Sequence, residues 1–264
     1  MKVYQENIKK YNVTHVSLVA TQLIKLLEDK SSLKLLAKLK CILVGGSYIP
    51  SSLIKQAITY HLPIFTTYGS TEMASQTTTT KPDESSKKLF TSGKLLNHRE
   101  LKISEDSEIL VKGKTLFKGF VETDNLIKPF DSDGWYHTGD SGIIDNEDYL
   151  TVIGRKDNMF ISGGEKVYPE EIEINLLNME EIRSALVIDI PNKKFGARPI
   201  AFIKAYNYDL VNKRNIIKCL SERLPKFKIP DAFYKWPEEQ IVLKPNRTDF
   251  ILLYNNQEVE EILE

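Results

Sequence analysis

The sequence predicts an α/β fold combined with an α+β one: a partial parallel-sheet layer and a small, bent β-subdomain, followed by a compact α+β C-terminal domain. Three observations predict it. Short apolar runs alternate with amphipathic stretches through the first part of the chain, the signature of a parallel sheet with helical crossovers. From about position 89 to 153 the pattern changes to short strands separated by glycine and Asp/Asn turns. Between 154 and 173 a charged turn, a short apolar strand, Gly163-Gly164 and a helix opened by Pro169 with Glu170 and Glu171 in its first turn mark a joint between domains.

In order, 13–19 reads as a strand and 20–30 as a helix with Leu23, Ile24 and Leu27 on one face. Cys41–Val44 is a buried-type strand ending at Gly45-Gly46. Ser51 and Ser52 cap a helix that turns Leu53, Ile54, Ala57 and Ile58 inward, and 62–66 is the next strand. The stretch 77–88 is polar, contains Pro82 and reads as a surface loop. Short strands follow at 101–103, 108–111, 135–138, 142–144 and 149–153. Beyond the joint come a helix to Leu177, strands at 184–190 and 199–206, and an amphipathic helix at 211–223. The expected organisation is a large-domain portion at 1–156, divided into an α/β layer at 1–88 and a β-subdomain at 89–156, then a C-terminal domain at 157–264.

The 264 residues allow one large or two smaller domains. Hydrophobic residues at 41% and charged residues at 27% are ordinary for a globular chain. Lys plus Arg and Asp plus Glu both number 36, so nothing global points to nucleic acid or an anionic membrane surface. No apolar run approaches the roughly 20 residues that span a bilayer, and the first residues lack a signal peptide's apolar core, so the cytoplasm is the expected location. Cys41 and Cys219 read as buried thiols of a reducing compartment. The four histidines have no metal-ligand spacing.

Three segments suit a nucleotide. In Tyr68-Gly69-Ser70-Thr71-Glu72, after a strand, glycine lets the backbone turn sharply, a hydroxyl can donate to a phosphate oxygen, and a carboxylate can hold Mg2+. A turn with Thr71 as a helix N-cap explains the same string. In Tyr136-His137-Thr138-Gly139-Asp140, a carboxylate at a strand end can accept from both hydroxyls of a ribose, or simply close a turn. Gly45-Gly46-Ser47 permits flat packing of a ring against backbone, or a strand-to-helix turn.

Taken in order with Gly154-Arg155-Lys156-Asp157, Gly163-Gly164-Glu165 and Pro169-Glu170-Glu171-Ile172-Glu173, these segments resemble the core motifs of the AMP-forming acyl-CoA synthetases, a family of adenylate-forming enzymes. The resemblance implies that Gly46 and Ser47 line an adenine pocket with Tyr68 stacking on the ring and Gly69 in the same motif. It implies that Thr71 contacts the α-phosphate and Glu72 the Mg2+, and that Asp140 and Arg155 hold the ribose hydroxyls. Asp157 matches the hinge position. Ser162, Gly163, Gly164 and Glu165 match the segment that approaches the pantetheine arm of CoA. Lys244, with Arg247 three places on, matches the late catalytic lysine, although Leu243 replaces the usual glycine.

The extension Glu72-Met73-Ala74-Ser75-Gln76, the run Asp157–Glu165 and Phe195-Gly196-Ala197-Arg198-Pro199 are similar to the o-succinylbenzoate–CoA ligases of menaquinone synthesis. That resemblance implies an aromatic dicarboxylic acid substrate, with His15, Ser17, Thr21 and Ser75 near its pocket. ATP and the acid would give an acyl-adenylate and pyrophosphate, and CoA would then displace AMP. A different aryl or fatty acid and a non-catalytic binding or assembly module are the alternatives. The family's Ser/Thr/Gly-rich loop with its phosphate-binding lysine has no counterpart in this sequence. The chain alone is therefore expected to adenylate weakly, and to associate with itself or with the missing N-terminal half.

Overall fold

Short runs of β-branched and apolar residues build the first sheet. In this computed structural model, which describes residues 2–82, 84–123, 125–237 and 246–262, α1 (Lys2–Lys10) precedes β1 (His15–Leu18). Helices α2 (Ala20–Leu27) and α3 (Lys30–Leu36) lead to β2 (Cys41–Val44), and α4 (Ser51–Thr59) leads to β3 (Ile64–Ser70). The three strands are parallel and adjacent. Their alternation sets the layers: Ile42 and Val44 are fully buried while Cys41 and Leu43 are half-buried. Leu18, Ile42, Val44 and Ile64 pack under Leu23, Leu26, Leu36, Leu53 and Ile54. Each such side chain contributes about 1.5–3 kcal/mol by leaving water.

The helix expected over 20–30 is two helices. Asp29 sits at φ −106°, outside the helical region, and its carboxylate accepts from the Ser31 N–H at 2.9 Å, so it ends one helix and caps the next. The polar stretch from 77 also differs from the expected loop. β4 (Ser75–Thr79) runs antiparallel to β3, and β5 (Lys94–Leu95) extends the sheet to the order β1-β2-β3-β4-β5. Thr77, Thr78 and Thr80 are buried. Threonine is β-branched and suits a strand, and here hydroxyls find backbone partners: Thr78 Oγ1 donates to Ser92 O at 2.6 Å, and Thr80 Oγ1 accepts from the Thr66 N–H at 2.9 Å.

A second, curled sheet follows. β6 (Arg99–Ile103) and β7 (Glu108–Gly113) form a hairpin, and β8 (Phe120–Glu122) pairs separately with β9 (Asn125–Ile127). β10 (Tyr136–Ile144) and β11 (Leu150–Arg155) complete the order β11-β10-β7-β6. Asp140, expected at a strand end, lies within β10, where the pairing with β7 slips between His137 and Ser141. The chain divides into two compact units, Met1–Val152 and Ile153–Glu264.

The second unit carries β12 (Phe160–Ser162), β13 (Glu165–Val167), α5 (Pro169–Leu177), β14 (Ile182–Asn192), β15 (Gly196–Ala205), α6 (Lys213–Ser221), β16 (Phe233–Lys235) and α7 (Arg247–Asn255). The sheet order is β13-β12-β15-β14, with β16 parallel to β15. Alternation along β14 buries both faces. Val187 meets Ile172 and Leu176 of α5 and Ile216 and Leu220 of α6, whereas Leu186 and Ile188 meet Phe250 of α7. Gly163 and Gly164 form the two-residue turn between β12 and β13 at φ +61° and +91°, a conformation open to few residues other than glycine.

Candidate functional site

Parallel sheets offer ligands the loops beyond their strands' carboxyl ends. At that edge, β1, β2 and β3 border a cavity of about 580 Å³. Ser17 lines it from β1, Gly45 and Gly46 from the turn after β2, and Gly69, Ser70, Thr71 and Ser75 from the β3–β4 hairpin. Gly46 stands at φ +74°, and a Cβ there would meet only Val19 at 3.7 Å, so this backbone is bare toward the cavity. Gly69 is required for a different reason. A Cβ on it would lie 2.0 Å from Ser75 O, so only glycine lets the two hairpin strands close.

The turn between those strands is pinned from below. Met73 is fully buried and packs with Ile109, Val111 and Leu150 of the second sheet. Glu72 O accepts from the Phe117 N–H at 2.7 Å. Thr71 is thereby left exposed at the cavity and Glu72 half-buried beside it. Ser70 Oγ is buried with no hydrogen-bond partner among the described residues, a donor and acceptor awaiting a ligand.

Behind the hairpin, Tyr68 OH donates to Asp140 Oδ2 at 2.7 Å, and the Tyr68 ring packs on the Met73 cluster. Among residues singled out in the sequence, Ser17, Gly46, Gly69, Thr71 and Ser75 share the cavity wall. Ser47, Tyr68, Glu72, Asp140, His15 and Thr21 lie outside that lining. His15 is exposed with its Nδ1 2.8 Å from Thr14 Oγ1, and Thr21 is exposed on α2. Gln22 drew no notice in the sequence, and Met73 and Gln76 figured in the Glu72–Gln76 motif without a structural role. The apolar residue amid a polar string was the available signal for Met73.

In the second unit, Arg155 and Asp157 are exposed and paired at 2.8 Å across the 3-10 turn Lys156–Asn158. Ser162 is fully buried, with its Oγ 3.5 Å from Arg198 Nη1, whereas Gly163, Gly164 and Glu165 are exposed. Lys244 lies outside the described residues. Cys41 and Cys219 are free and half-buried. Among the described residues there is no cluster of His, Cys, Asp and Glu able to hold a metal by itself, and no helix long and apolar enough to cross a membrane.

Residues 1–121 match the AMP-binding enzyme family. The 2-succinylbenzoate–CoA ligase of Oceanobacillus iheyensis is 36% identical over 229 residues, 84% of this chain and 47% of that protein. The chain belongs to the AMP-binding, adenylate-forming family. Among solved members, o-succinylbenzoate CoA synthetase from Bacillus subtilis in complex with its acyl-adenylate intermediate superimposes with a TM-score of 0.78 at 33% identity, covering 89% of this chain and 50% of that one. The same enzyme in complex with ATP and magnesium ion gives 0.77 over the same shares. The chain spans about half the length of the family members it matches.

The residues present fit an adenylate. Gly46 leaves bare backbone at the cavity wall, and the orphaned Ser70 Oγ and exposed Thr71 are hydroxyls able to donate to a phosphate. With no cluster of acidic ligands among the described residues, a magnesium ion would be held mainly by phosphate and water oxygens, with Glu72 as a carboxylate ligand.

Proposed function

We propose that this protein acts in the ATP-dependent ligation of o-succinylbenzoate to CoA. The observation that carries the reading is the cavity that gathers Gly46, Gly69, Ser70, Thr71 and Ser75 at the strand ends, with Asp140 hydrogen-bonded to Tyr68 behind it. The resemblance to the o-succinylbenzoate enzymes supports the choice of acid.

In this reading adenine lies on the Gly45-Gly46 backbone beside Ser47 and Tyr68. Asp140 accepts from the ribose hydroxyls and Arg155 donates to them. Ser70 and Thr71 hydroxyls donate to the α-phosphate. Magnesium, held in part by Glu72, would spread the phosphate charge. Lys244 supplies a cation as the acid's carboxylate attacks, a contribution that is mainly electrostatic. Ser17 and Ser75 are placed to meet the acyl group, with His15 and Thr21 further out. Attack of the CoA thiolate on the acyl carbon then expels AMP, a far better leaving group than hydroxide. One centre serves both steps if the second unit turns about Asp157 and brings Gly163-Gly164, with Ser162 buried beneath, to the pantetheine arm.

The test is calorimetry with non-hydrolysable acyl-sulfamoyl adenosines. The o-succinylbenzoyl compound is expected to bind at least about tenfold tighter than its benzoyl and lauroyl counterparts. Equal affinities would refute the choice of acid. No binding of any of them, or of AMP, would refute the nucleotide site.

A further inference from the structure

Glu108 is a charged side chain in the interior of the first unit, 5% exposed, at the first position of β7. It faces the irregularity in β10. Pairing runs from His137 opposite Leu110 to Ser141 opposite Glu108, so Thr138, Gly139 and Asp140 stand against Ile109 alone. A bulge of this kind leaves backbone groups without ladder partners. The Glu108 carboxylate supplies one. Its Oε1 accepts from the Gly139 N–H at 3.0 Å, and its Oε2 lies 3.2 Å from His137 Nδ1. Gly139 itself stands at φ +71°. Thr138 closes the rest: its Oγ1 donates to Ile109 O at 2.7 Å and accepts from the Asp140 N–H at 3.1 Å. The residue so braced is Asp140, whose carboxylate meets Tyr68 OH.

We propose that Glu108, with His137, is a positioning residue that holds the β10 bulge in the shape that aims Asp140 at the ribose of the bound nucleotide. This role rests on Asp140 binding the ribose, as proposed for the nucleotide site. Burying a carboxylate is costly unless it is paired and hydrogen-bonded. In this place it does what an apolar residue of the same size cannot, because the Gly139 N–H would otherwise be orphaned. The segment that carries Asp140 would then lose one of its anchors.

The experiment compares AMP with 2′,3′-dideoxy-AMP on the full chain, with affinities from ligand-observed NMR. The wild type is expected to prefer AMP by about tenfold or more, from charge-assisted hydrogen bonds to Asp140. Asp140→Ala should bring the ratio close to one. Glu108→Ala, and Glu108→Met, which fills the space without an acceptor, should also lower the ratio several-fold and speed hydrogen exchange at the Gly139 amide. Glu108→Gln keeps an acceptor and should retain most of the preference. Leu26→Ala, a core truncation elsewhere, should lower stability and leave the ratio unchanged.

If Asp140→Ala loses the preference while both Glu108 variants keep the wild-type ratio and the wild-type Gly139 exchange, the positioning role is wrong and the ribose reading stands. If the wild type shows no preference for AMP, the ribose reading fails and takes this inference with it.

Discussion

Gly69→Ala tests the geometry of the cavity wall. The added Cβ would lie 2.0 Å from Ser75 O, 2.7 Å from Ser75 C and 2.8 Å from Gln76 Cα, all backbone atoms that cannot rotate away. Ordinary carbon contacts need about 3.5 Å, so the hairpin strands must part by about 1.5 Å. The pairs at risk are Gly69 with Gln76 and Ser70 with Ser75. Overpacking costs about 1–3 kcal/mol and a lost backbone hydrogen bond about 1 kcal/mol, giving about 2–4 kcal/mol in all. Urea denaturation measures that loss. Because Ser70, Thr71 and Ser75 ride on the displaced strands, AMP affinity should fall at least about tenfold, as expected for a misplacement near 1 Å. A variant with wild-type stability and wild-type AMP affinity would refute the account of the hairpin.

Other expectations follow from single side chains. Ser70→Ala removes a buried hydroxyl with no partner and should raise stability by about 1 kcal/mol while weakening AMP binding; a stability gain with unchanged affinity would remove Ser70 from the site. Glu173 is held by Arg247 at 2.6 Å and by the Val187 N–H at 2.8 Å, yet burial, aided by the neighbouring Glu170, pushes its carboxyl up to about 7. Since the folded value exceeds the unfolded one, the contribution of Glu173 to stability is fully present below about pH 4.5 and is lost as pH rises through 7; Glu173→Gln should remove that component of the slope in denaturation curves taken across this range. Arg247→Ala should cost about 3 kcal/mol above pH 7, where the ionised Glu173 loses its counter-charge and is driven to take up a proton, and clearly less at pH 5, where Glu173 is already neutral; a pH-independent cost would contradict the pairing.

Much of the fold was legible because burial writes itself into alternation. Cys41–Val44 reads as a buried-type strand, and it is one, with Ile42 and Val44 inward. The errors share a cause: side-chain hydrogen bonds that sequence periodicity does not carry. Asp29 splits a continuous apolar face by capping a new helix. Thr77, Thr78 and Thr80 read as polar and lie buried, two of them with their hydroxyls bonded to backbone. Asp140 sits inside a strand because Glu108, some thirty residues earlier, satisfies the bulge. Helix α1 offers only Val3, Tyr4 and Ile8 as apolar residues and gave too little periodicity to read. The glycines and hydroxyls of the cavity were visible as separate strings, but their convergence depends on strand register. Ser70, whose hydroxyl is buried without a partner among the described residues, stood in plain view without any sequence feature to set it apart from Thr71.

The most direct test of the central claim supplies the intermediate itself. Synthetic o-succinylbenzoyl-adenylate and CoA are mixed with the protein, and release of AMP and formation of the thioester are followed by chromatography. This step needs the adenylate cradle and the Gly163-Gly164 face and does not need the β- and γ-phosphates. The account predicts o-succinylbenzoyl-CoA formation well above the uncatalysed rate, reduced at least about tenfold by Asp140→Ala. Thioester formation at the uncatalysed rate, with AMP bound no better than by the Asp140→Ala variant, would contradict it.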